Sequence, residues 1–98
     1  MGGAVFIGDE LTATGFRLTG LETFTPAPAA VAETFMDSRR RASLVILTAE
    51  CARFIPPATL EAALLAERPP VAVIPDALAR VEPAALARRM RSVLGIES

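Results

Sequence analysis

Three short runs, Ala4-Val5-Phe6-Ile7, Leu44-Val45-Ile46-Leu47 and Val71-Ala72-Val73-Ile74, are apolar at every position and end against glycine, threonine and proline in turn. A strand with one wet face alternates apolar and polar residues. Runs without alternation suit strands covered on both faces, as in a parallel sheet sandwiched by helices. The stretches between the runs have helical character, so we expect an α/β fold: a small doubly wound four-stranded parallel sheet with helices on both faces and a C-terminal helix. Residues 1–75 are expected to form the wound domain and residues 76–98 a connector and a helix with no strand to join.

A chain of 98 residues, 52% of them hydrophobic, is long enough to bury a core without disulfides or a metal. Cys51 is the one cysteine, so no internal bridge can form and a reducing compartment is the expectation. The 10 positive charges are all arginine and stand against 11 acids, a balance that argues against a nucleic-acid partner, which calls for a basic face. No apolar run approaches the roughly 20 residues that cross a bilayer, and the N-terminus lacks the basic start of a secretory signal. We therefore expect a cytoplasmic protein that does not insert into a membrane. Histidine, tyrosine and tryptophan are absent, which removes the commonest general base and metal ligand and the strongest interface anchors.

Gly8-Asp9-Glu10 reads as a tight turn into a helix, with Asp9 as its N-cap and Glu10 in its first turn. That helix runs to about Leu18 and ends near Gly20. Gly15 inside it marks either a close approach to the sheet or a simply tolerated glycine. Glu22 to Thr25, bounded by Pro26, forms a weak second strand of the kind found at sheet edges. Pro28 can open the second helix, whose Val31, Ala32, Phe35 and Met36 share one face and should cover the sheet. Arg39, Arg40 and Arg41 close it, where cations complement the helix dipole, an anion-binding patch being the alternative. Thr48 can cap a third helix carrying Glu50. Pro56-Pro57 interrupts that helix, and Leu60, Leu64 and Leu65 continue the buried stripe to Arg68. After Pro69-Pro70 and the last strand, Pro83 begins a final helix that stops at Gly95. Its Leu86, Met90, Val93 and Leu94 make one apolar stripe, flanked by Arg88, Arg89 and Arg91.

Gly8-Asp9-Glu10 lies where open α/β folds place their ligands, at the carboxyl end of the first strand. A phosphate-binding loop would end in Gly-Lys-Ser or Gly-Lys-Thr, and residues 8–15 have neither the lysine nor the ending; the dinucleotide glycine pattern is absent too. A receiver-like phosphorylation module would need a carboxylate at the end of the third strand and a lysine, but Leu47-Thr48 occupies that position and lysine is missing altogether. Cys51 has no histidine or lysine to activate it. Asp9, Glu10 and Glu50 could gather at one sheet edge, although capping accounts for each alone. Catalytic, cofactor-binding and metal-binding residues are therefore all expected to be absent.

Taken together, Ile7-Gly8-Asp9-Glu10, Thr14-Gly15-Phe16-Arg17-Leu18-Thr19-Gly20, Leu47-Thr48-Ala49-Glu50, Pro70-Val71-Ala72-Val73-Ile74-Pro75 and the arginine-rich last helix ending Val93-Leu94-Gly95 resemble the F subunit of the A-type and V-type rotary ATPases. The resemblance covers nearly the whole chain in the family's order. It implies a wound α/β domain whose protruding C-terminal helix docks along the coiled coil of the D subunit in the rotor. Such a protein catalyses nothing itself. Peripheral to the membrane, it turns with the central stalk and affects how the catalytic hexamer of A and B subunits couples ATP turnover to proton or sodium transport. The chain departs from the pattern in a short connector after Pro75 and in Leu11-Thr12-Ala13, where many relatives are more acidic.

A helix of about 12 residues is near the lower limit of stability alone, so its apolar stripe must be covered by something. A coiled-coil partner would take Leu86, Met90, Val93 and Leu94 into its groove, with the heads of Arg88, Arg89 and Arg91 pairing to its acids. The competing arrangement folds this helix back over its own sheet. From a different class, a stand-alone receiver-like signalling or ligand-binding module would use the Gly8-Asp9-Glu10 corner instead.

Overall fold

The computed structural model of the chain describes residues 2–74. Strands β1 (Ala4–Ile7), β2 (Glu22–Phe24), β3 (Leu44–Thr48) and β4 (Val71–Ile74) form one sheet in the order β2-β1-β3-β4. All three pairings are parallel, with Val5 opposite both Glu22 and Val45, and Val45 opposite Val71. The three apolar runs thus lie side by side, and the weak segment becomes the rim, as its short length and flanking proline require.

Successive residues of each strand point to opposite faces, and the sequence supplies apolar side chains to both. On one face Phe6, Leu44, Ile46 and Ile74 pack with Ala13 and Phe16 of helix α1 (Glu10–Leu18). On the other, Val5, Ile7, Val45 and Leu47 pack with Val31 and Phe35 of α2 (Val31–Arg41), with Ile55, and with Ala63 of α4 (Pro57–Leu65). Helices on both sides of a parallel sheet make this a small doubly wound α/β fold, as expected.

Local chemistry sets the helix ends. The Asp9 carboxylate accepts from the Thr12 backbone N–H at 2.9 Å and from its hydroxyl at 3.0 Å, capping α1 and satisfying a buried hydroxyl. Gly20 ends that helix at φ +91°, a conformation that side chains disfavour, with its N–H on the Arg17 carbonyl at 3.1 Å. The Thr48 hydroxyl accepts from the Cys51 N–H at 3.2 Å and opens a single turn, α3 (Ala49–Ala52). Pro56 then bars helical geometry at Ile55, and Pro57 starts α4 at its first position.

Three expectations need correction. Pro28 opens a 3-10 turn (Pro28–Ala30), and α2 itself begins at Val31. On α2 the inward row is Val31, Phe35 and Ser38, at i, i+4 and i+7, while Ala32 is half-buried and Met36 is 38% exposed. Helix α4 ends at Leu65, with Ala66 extended and Pro69-Pro70 close behind, so the stripe does not reach Arg68. Its inward residues are Ala63 and, partly, Leu60; Leu64 and Leu65 are 50% and 79% exposed. The small side chain of Ala63, rather than a leucine, is what α4 turns toward the sheet.

Candidate functional site

Parallel strands β1, β3 and β4 all end on one edge of the sheet, and β1 and β3 are where the chain's order reverses, the usual place for a ligand. A cleft of about 190 Å³ opens there, lined by Gly8, Asp9, Pro26, Thr48, Glu50 and Phe54 among others. Asp9 and Glu50 do meet at this edge, as the sequence suggested. Glu10 instead turns along α1 to pair with Arg17 at 3.1 Å, and Arg17 Nε also donates to the Thr23 hydroxyl at 3.0 Å.

The groups at this corner have structural work to do. Burial pushes the Asp9 carboxyl up, but the Thr12 N–H and hydroxyl outweigh it and hold the group below its ordinary value. Its charge serves the first turn of α1. Gly8 is glycine for a steric reason: a Cβ there would come within 2.5 Å of Phe6 Cζ and 2.6 Å of Thr48 Cγ2. The Gly8 N–H donates to the Phe24 carbonyl at 3.1 Å, tying the end of β1 to β2. Among the described residues no cation lines the cleft to receive a phosphate, and no group of three or more His, Cys, Asp or Glu that could hold a metal occurs. Cys51 is half-buried and unbridged.

At the opposite edge, the arginine run at the end of α2 divides by role. Arg40 and Arg41 pair with Asp37 at 3.0 and 3.1 Å, and Arg41 reaches Glu22 at 3.6 Å and lies over the Phe24 ring at 5.9 Å. The hydrogen bond from Arg41, more than the burial opposing it, keeps the Asp37 carboxyl below its ordinary value. Arg39 makes no such pair among the described residues. It shares a cleft of about 600 Å³ with Arg68, a juxtaposition the sequence reading did not foresee.

The proposed contact residues Leu86, Arg88, Arg89, Met90, Arg91, Val93 and Leu94 lie outside the described residues. Their segment follows β4, which ends on the same edge as Gly8 and Thr48. The family model for the ATP synthase (F/14-kDa) subunit matches residues 4–92. The chain belongs to that family. Membership makes it a V/A-type ATPase subunit, in agreement with the resemblance read from its motifs. The family match takes in every described strand and helix and runs on through Arg88, Arg89, Met90 and Arg91. A search of curated proteins finds no match to the chain. Among the described residues of this family member, no helix is long and apolar enough to cross a membrane.

Proposed function

We propose that this protein is a non-catalytic central-stalk subunit of a V/A-type ATPase or ATP synthase, coupling ATP turnover in the A/B catalytic hexamer to proton or sodium transport. The family match over residues 4–92 carries this reading. In it the wound domain is a rigid block, and the C-terminal segment grips the D-subunit coiled coil through Leu86, Met90, Val93 and Leu94, with Arg88, Arg89 and Arg91 reaching acids on that partner. The protein works at the cytoplasmic side as a peripheral part of the complex. The acids of the Gly8-Asp9-Glu10 corner have capping and ion-pairing roles, which lends the reading further support over a small-ligand module.

Deleting residues 83–98 tests it. Each apolar side chain fully buried in a partner contributes on the order of 1.5 to 3 kcal/mol. Losing the stripe should therefore weaken D-subunit binding by roughly a hundredfold or more, and abolish the protein's effect on ATP hydrolysis by the reassembled complex. Far-UV circular dichroism would check that the wound domain persists. Binding and stimulation by the shortened chain equal to those of the intact one would remove the tail from the mechanism.

A further inference from the structure

The cleft at the amino edge of the sheet is walled on one side by the end of α2 and on the other by the segment joining α4 to β4. Arg39 and Arg68 both line it, and neither has an ion-pair or hydrogen-bond partner among the described residues. The Nε of Arg39 is buried and unpartnered. A buried donor of a charged group left without an acceptor is unfavourable, so the free protein holds an unmet hydrogen-bonding demand at this wall. Arg40 and Arg41, by contrast, already have their carboxylates in Asp37 and Glu22.

The surroundings select among anions. The carbonyl end of α2 carries a partial negative charge, and Glu67 stands in the same wall, so a doubly charged phosphate meets more repulsion here than a singly charged carboxylate. Ala42, Pro69 and Pro70 give the cleft an apolar floor suited to the stem of a side chain. Guanidinium groups match carboxylates in planar, paired hydrogen bonds. We propose that this cleft docks an acidic segment of a protein partner, with one of its carboxylates held by Arg39 and Arg68. The proposal rests on the reading of the chain as a subunit that works by protein contact, but not on the C-terminal stripe.

The test uses the full chain, labelled with nitrogen-15, and a short glutamate-rich peptide blocked at both ends. The arginine Nε–H resonances are followed during titration. Those of Arg39 and Arg68 should move together and saturate, while that of Arg53, also without a partner among the described residues but at the other edge of the sheet, stays still. Arg39→Gln and Arg68→Gln should each raise the dissociation constant roughly tenfold, the equivalent of one charge-assisted hydrogen bond. Arg68 is exposed, so its variant keeps the test meaningful even if Arg39→Gln disturbs folding. The proposal is overturned if no saturable shift occurs, if Arg53 responds equally, if affinity is indifferent to Arg68, or if inorganic phosphate binds more tightly than the peptide. Because the peptide replaces every other subunit, its failure to bind leaves the tail reading standing, and failure of the tail deletion leaves this one.

Discussion

Replacing Phe16 by alanine should lower the unfolding free energy by about 3 to 5 kcal/mol. Phe16 is fully buried and is the main side chain by which α1 is fixed to its face of the sheet. Its ring stacks on that of Phe6 in β1, with centroids 4.6 Å apart and planes 15° from parallel. Truncation would remove the apolar burial and the ring contact together and leave a hole between a helix and a strand that cannot easily close. For a chain of this size, stability is of the order of 0.05 to 0.15 kcal/mol per residue, so the variant would lose about a fifth or more of the total. Urea titration followed by far-UV circular dichroism measures it directly, since the chain has no tryptophan or tyrosine to report by fluorescence. A loss below about 1 kcal/mol would mean that α1 does not depend on this contact.

The second large effect is expected from Gly8→Ala. One added carbon would overlap the Phe6 ring at 2.5 Å and the Thr48 methyl at 2.6 Å, two side chains on adjacent strands that press on the same point. Phe6 is fully buried and stacked on Phe16, and Thr48 is held by its bond to the Cys51 N–H, so neither yields freely. Overpacking of this kind is unfavourable by about 1 to 3 kcal/mol, and the narrower unfolded ensemble of alanine offsets only about 0.4 to 1. A Phe6→Leu change made alongside should relieve part of the overlap. The double variant would then be more stable than the sum of its parts allows, a coupling that a thermodynamic cycle reads out. Strict additivity would locate the strain elsewhere.

Much of this fold can be read from the chain because strands buried on both faces declare themselves as unbroken apolar runs: β1, β3 and β4 begin and end within a residue of where Ala4, Leu44 and Val71 announced them. Asp9 and Thr48 were legible as caps for the same reason, since a cap is a contact three residues away. What escaped depends on distant parts of the chain. Whether Met36 or Ser38 of α2, and Ala63 or Leu64 of α4, faces inward is decided by how each short helix lies across the sheet, and α4, polar only at Thr59 and Glu61, has no sustained polar face to orient it. The Ser38 hydroxyl is buried without a partner among the described residues, a mismatch that periodicity could not reveal. At the carboxyl-edge corner, the acids were visible but the meaning of Gly8 was not. Its space is taken jointly by Phe6 and by Thr48 of the neighbouring strand, a meeting that no local pattern reveals. Arg39 and Arg68 come together only because β3 and β4, entered from α2 and from the segment after α4, lie side by side in the sheet, which no local pattern encodes.

Strands β1 and β3 stand side by side in the middle of the sheet, each hydrogen-bonded to a neighbour on both flanks, whereas β2 is three residues on the rim. Amide protons of Phe6 and Ile46 should thus trade with solvent only when the entire molecule opens, while those around Thr23 escape through local fraying. The interior ribbon is then the last thing to give way when the protein is strained, with the rim peeling first.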